Sequence, residues 1–307
     1  MTSSWRNGRN RVLSVALSLS ALVFAGLFSE NQRNSARAQT RATAVAPDEA
    51  TKARLQKIVK GILAAWDKAD VVCLGEDHGG KNDSDLRITL VEHPDFVHKV
   101  NVIIVESANA AHQDILDRFI LDGEELPREK LRVVWSDADG VDVWESPIYE
   151  AFLRAVRKAN LAVPRQQRVR LIGGDDPSVS NRGKYIREAV SREILSKGLK
   201  GLAIYGAGHC VCHGGGFPGE LADKYPGKIW AVFGFFSDEG VQEGRRIFGL
   251  GDEPTLIPVT GTDKAKLPAG RMFFLGTYNQ SAALGDVVNE IVYYGNIKDA
   301  KVYPDKR

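Results

Sequence analysis

Residues 71–78 read VVCLGEDH: four apolar residues, a glycine, and then Glu76, Asp77 and His78. Residues 201–209, GLAIYGAGH, repeat the arrangement, with Tyr205 before the glycine and His209 at the end. Carboxylates beside histidines support two kinds of chemistry. A carboxylate can orient an imidazole that takes a proton from water. Alternatively, imidazoles and carboxylates can hold a divalent metal that acidifies a bound water. Glu106 ends another apolar run (NVIIVES, 101–107), and Asp175 and Asp176 end a third (RVRLIGGDD, 168–176). Arg87 lies nine residues beyond His78, where a helix leaving the first run can turn it back. An arginine there would stabilise an oxyanion or grip an anionic substrate group. His93, His98 and His112 follow no such glycine and are given no role. Cys210, Cys212 and His213 lie close together, but their spacing matches no standard zinc site.

An apolar run that stops at a glycine is how a strand covered on both faces of a parallel sheet reads. Ligands bind at the carboxyl ends of such strands. Two Gly-x-x-His turns can share a site only if the fold brings their strand ends together, and one site is expected. The connecting segments are helical in spacing. Leu55, Ile58, Val59, Ile62, Leu63 and Trp66 form one apolar face within 51–69, and a second helix covers 83–92. Ile115, Leu116, Phe119 and Ile120 form the face of another, ended by Gly123. Ser146-Pro147 starts a helix with a cap residue and a first-turn proline, and Asn181 caps one that runs to Lys197. Further strands are expected at 228–236, 255–259, 272–275 and 291–294, with short helices near 220–224 and Asp286. Strand alternating with helix predicts an α/β fold: a mostly parallel central sheet with helices on both faces. One domain is expected over 51–307, with a small helical or loop insertion at 124–145. That insertion carries Trp135 and Trp144 and reads as a lid over the sheet edge.

The chain has 307 residues, 43% hydrophobic and 26% charged, with a formal net charge of +2. Five arginines against Glu30 make residues 1–38 +4, which leaves the remainder at −2. No basic stripe with interleaved aromatics is present, so a nucleic-acid partner is not expected. Arg6, Arg9 and Arg11 precede an apolar run to Phe28, and Ala36-Arg37-Ala38 matches a small-x-small cleavage site. This reads as a secretory signal peptide cut after Ala38, followed by a linker at 39–50. The alternative is an uncleaved N-terminal anchor. The mature protein is therefore expected to be exported, periplasmic or secreted. Three cysteines are too few for a disulfide framework. A bridge from Cys73 to Cys210 or Cys212 requires their strands to be neighbours.

Taken together, VVCLGEDHGG, Arg87, VIIVES with Glu106 and RVRLIGGD resemble the erythromycin esterase family. Trp144 and the helix ending Arg157-Lys158-Ala159-Asn160 are similar to that family's tryptophan-led helix. The paired motifs Gly75–His78 and Gly206–His209 also resemble a wider superfamily that includes ChaN-like haem-binding uptake lipoproteins and Tiki metalloproteases. The resemblance spans residues 71–294. The esterases place the glutamate three residues before the histidine; Glu76 is two before His78, as in the ChaN-like proteins. This chain lacks their lipidation cysteine, and macrolide resistance is not implied. The resemblance implies an exported hydrolase of esters or amides, acting on a small molecule or peptide. His78 would be the general base, Glu76 and Glu106 would orient it or the water, and Arg87 would stabilise the anionic intermediate. His209 would be a second acid/base, or His78, His209 and Glu106 would hold a divalent metal. The alternative is a haem-binding uptake protein with Tyr205 or a histidine as axial ligand.

Overall fold

Seven aliphatic-rich segments form one sheet: β1 (Val71–Glu76), β2 (Val102–Asn109), β3 (Arg170–Asp175), β4 (Gly201–Gly206), β5 (Ile229–Gly234), β6 (Thr255–Pro258) and β7 (Glu290–Tyr293). The computed structural model describes residues 45–138, 142–212, 215–235, 237–270, 282–295 and 299–304. The expected signal peptide, the first half of the linker, the strand at 272–275 and His213 lie outside the described residues. Among those described, no helix is long and apolar enough to cross a membrane.

The spatial order is β3-β2-β4-β1-β5-β7-β6. Every pairing is parallel except β6 with β7. Six helices of nine or more residues are described: α1 (Glu49–Ala65), α2 (Lys81–Val91), α3 (Arg128–Ser136), α4 (Pro147–Leu161), α5 (Arg182–Glu193) and α6 (Asp238–Phe248). Strand side chains alternate between two cores, as the two-residue period requires. Val72 and Leu74 face a core shared with α1, α2, α3 and α4, whereas Val71 and Cys73 face one shared with α5. The protein is therefore an α/β fold with helices on both faces of a mostly parallel sheet.

Several boundaries differ from the sequence reading for local reasons. Helix α1 begins at Glu49, inside the expected linker, because Asp48 caps it by accepting from the Thr51 amide at 2.8 Å. Ser146 occupies the cap position before Pro147, yet its hydroxyl donates to the Val302 carbonyl at 2.5 Å instead of capping α4. Asn181 does cap α5, accepting from the Lys184 amide, but the α-helix ends at Glu193. In the insertion, α3 is amphipathic and buries Leu131, Val134 and Trp135; Trp144 is also buried. The segment packs into the first core.

The chain leaves β1 for β2 and β3 and returns with β4 between β1 and β2. Register then places Gly75 beside Tyr205 and Glu76 beside Gly206. At these strand ends the two glycines make room for each other's turns. A Cβ on Gly75 would lie 2.9 Å from Ala207 Cα and 2.9 Å from Phe233 Cβ. A Cβ on Gly206 would lie 2.9 Å from the His78 Nε2 atom. The Cys73–Cys210 disulfide, Cα to Cα 5.6 Å, ties β1 to the chain just beyond β4.

Gly75→Ala is therefore expected to destabilise the protein by about 1–3 kcal/mol, the usual cost of overpacking against backbone. Gly251→Ala, where a Cβ meets nothing within 4 Å, should stay within about 0.5 kcal/mol of wild type. Urea unfolding of the two variants checks this.

Candidate functional site

The site lies at the carboxyl ends of β1, β2, β3 and β4. Glu76, the last residue of β1, is 6% exposed. One of its oxygens accepts from the Arg87 guanidinium of α2. The other lies 2.9 Å from His78 Nδ1 and accepts from the Tyr149 hydroxyl of α4 at 3.1 Å. Burial resists ionisation of Glu76, but the Arg87 charge, the His78 bond and Tyr149 outweigh it and hold its pKa below the ordinary 4.5. Burial likewise opposes charging of His78, and the Glu76 bond and charge, with Glu106 and Asp77 beyond, raise its pKa above 6.5. His78 packs edge-on against Trp144, centroids 4.7 Å apart, and its side chain remains 36% exposed.

Glu106 stands between the two histidines. Its Oε2 accepts from the Gly206 amide at 2.6 Å and lies 3.8 Å from His78 Nε2. Its Oε1 accepts from Arg182 Nη2 at 3.2 Å and lies 3.5 Å from His209 Nε2. Arg182, at the start of α5, also holds Asp175 at the end of β3 through two bonds of 3.0 Å. Asp176 turns away and accepts from Ser178. Beyond the His78 turn, a cavity of about 460 Å³ is lined by Asp77, Asp83, Tyr294, Asp299 and Lys301 among others. Burial pushes the Asp83 carboxyl up to about 7, against the Tyr294 hydroxyl and Asp77 amide that donate to it.

The fold thus gathers Glu76, His78, Glu106 and His209 at one rim. Three expected roles change. Arg87 is 2% exposed, clamped by Glu76 and the faces of Tyr149 and Phe152. It cannot reach a substrate and instead keeps Glu76 ionised. Tyr205, the candidate haem ligand, is fully buried and donates its hydroxyl to the Gly174 carbonyl at 3.0 Å. Burial raises its pKa well above 10, so its oxygen is held as a phenol within the second core. As a metal set, His78, His209 and Glu106 fit poorly. Both Glu106 oxygens already accept N–H donors, one from a guanidinium that would repel a cation. Among the described residues, no three histidine, cysteine, aspartate or glutamate side chains converge as metal ligands.

Sequence reasoning missed Tyr149, Arg182 and Asp83. Tyr149 falls on the apolar stripe of α4, where spacing marks it as core. Arg182 had one signal, its place directly after a cap seven residues beyond Asp175.

No protein-family model matches the sequence, and no curated protein matches it. Among solved structures, a protein from Bacillus cereus superposes with a TM-score of 0.52 at 12% identity, covering 80% of this chain and 93% of that one. The likeness is one of fold. The type III effector HopBA1 (TM-score 0.38, 15% identity, 59% and 82% covered) and ChaN of Campylobacter jejuni with cofacial haem (0.36, 17%, 60% and 86%) are more distant.

The Glu76 carboxylate contributes stability above its unfolded pKa, and that contribution is lost as pH falls through the depressed folded value. Charged His78 contributes below about 6.5 and loses its contribution as pH rises through the raised folded value. Arg87→Met would leave Glu76 buried without its cation. That variant should lose about 3 kcal/mol at neutral pH, and the deficit should shrink as pH falls, because Glu76 without its cation takes up a proton. Urea titrations between pH 4 and 8 measure both effects.

Proposed function

We propose that this protein is an exported hydrolase in which His78, held by Glu76, activates water for attack on an ester or amide. The observation that carries the reading is the line Arg87–Glu76–His78. A buried, charge-fixed carboxylate bonds Nδ1 and leaves Nε2 at an accessible rim beside Glu106 and His209. This is the logic by which a carboxylate sets the tautomer of a general base. Neutral His78 takes a proton from water through Nε2, and Glu76 stabilises the imidazolium that forms. Glu106 orients the water or the leaving group. His209, on the far side of Glu106, is the second acid/base.

The resemblance of the paired Gly-x-x-His turns to the erythromycin esterase and ChaN-like superfamily supports this reading. A buried disulfide is consistent with folding in an oxidising compartment, as is the cleavable leader expected at residues 1–38.

Mature protein (residues 39–307) tested on p-nitrophenyl esters and peptide amides should hydrolyse at least one class. His78→Ala should lower kcat by about 10²–10⁴-fold. Wild-type kcat should climb as pH rises through the raised pKa of His78, and a chelator should leave it unchanged. Turnover that matches His78→Ala on every substrate, or that appears only with added divalent metal, would contradict the proposal.

A further inference from the structure

The two histidine turns are fastened in different ways. Hydrogen bonds secure the His78 turn. Gly80 N–H donates to the Asp77 carbonyl at 2.8 Å, Val302 N–H to the Gly79 carbonyl at 2.8 Å, and Lys301 Nζ to the His78 carbonyl at 2.9 Å. The Asp77 amide donates to Asp83 at 2.7 Å, and the Gly79 amide to the Tyr149 hydroxyl at 3.1 Å. The His209 turn is a single turn of 3-10 helix, Ala207–Cys210. At its start the Gly206 amide is bonded to Glu106. At its end, directly after the histidine, Cys210 is joined to Cys73 in the middle of β1.

We infer that the Cys73–Cys210 disulfide is a positioning element of the site, holding His209 against Glu106 from the residue next to it. The inference rests on the reading of His209 as part of that site. His209 is only partly packed. Its side chain is 36% exposed, its ring meets Tyr205 edge-on at 6.1 Å, and its Nε2 lies 3.5 Å from Glu106. Its place therefore depends on the backbone of a four-residue turn. Strand β4 fixes one end of that turn, and a covalent bond to the neighbouring strand fixes the other.

Both bridged cysteines are fully buried, so the bond is a permanent fastening rather than a surface switch. Cys212, two residues on, does not compete for Cys73. Its Sγ donates to Asn289 Oδ1 at 3.4 Å, and burial pushes the thiol up to about 12, far from the thiolate that exchange needs.

The test compares wild type with two variants of the mature protein, Cys73→Ala/Cys210→Ala and the better-filling Cys73→Val/Cys210→Ala. Imidazole NMR signals are assigned with His78→Gln and His209→Gln, and folding is followed by circular dichroism. Expected is a folded variant in which the His78 signal is unchanged while the His209 signal shifts or broadens. Where hydrolysis is measured, kcat should fall by about ten- to a hundredfold, the scale of a displaced catalytic group, with KM little altered. An unchanged His209 signal in a folded variant overturns the inference. So does equal disturbance of both histidines, or failure of both variants to fold, because the bridge would then be a staple of the whole sheet. The NMR comparison needs no turnover, so it stands apart from any failure of the hydrolase reading.

Discussion

The site depends on a close approach of two strand ends. Gly75 and Gly206 sit on neighbouring parallel strands, and each leaves the space that the other strand's turn occupies. Ala207 lies where a Gly75 side chain would be, and the His78 ring lies where a Gly206 side chain would be. Any larger residue at either position separates the turns. The repeated glycine is therefore a packing requirement, and the histidine three residues later is its beneficiary.

Given that approach, electrostatics divides the site into two lines. Arg87–Glu76–His78 runs from the buried interior to the rim, and its carboxylate is largely shielded from solvent. Arg182–Glu106–His209 runs along the rim, and its guanidinium is partly open. In a site shielded from water, a carboxylate without its cation would take up a proton. Arg87 prevents this for Glu76. The His78 imidazole then faces a fixed negative charge behind it and Glu106 in front, which is why its basicity rises despite burial. Trp144 and Tyr149 close this line from the insertion and from α4, so the segment expected to cover the sheet edge is part of the wall of the site.

Much of this was legible in the residues. Apolar runs mark strands at the right places because strands buried on both faces need a nearly continuous apolar sequence; the runs of β1, β3 and β4 stop at a glycine and that of β2 at Glu106. What periodicity does not carry is spatial order. Nothing local says that β4 inserts between β1 and β2, and that insertion brings Gly206 to Glu76. Direction was partly readable. In β4 the alternation that turns Leu202 and Ile204 to one core turns Ala203 and Tyr205 to the other, and this removes Tyr205 from the rim. The inward reach of Arg87 was foreseen, but its depth was not, because burial of a guanidinium is decided by Tyr149 and Phe152 from a helix about sixty residues away in sequence. Ser146 shows the same limit: a cap residue in the expected position spends its hydroxyl on Val302, from the far end of the chain.

The central claim is that both turns form one centre around Glu106, and the direct measurement is the imidazole NMR spectrum of wild type beside Glu106→Gln. The substitution keeps the shape of the side chain and removes its charge. Because Glu106 lies 3.8 Å from His78 Nε2 and 3.5 Å from His209 Nε2, the signals of both histidines should move, while those of His93 and His98 stay in place. If only one of the two signals moves, or neither does, the turns are not one centre and the account fails.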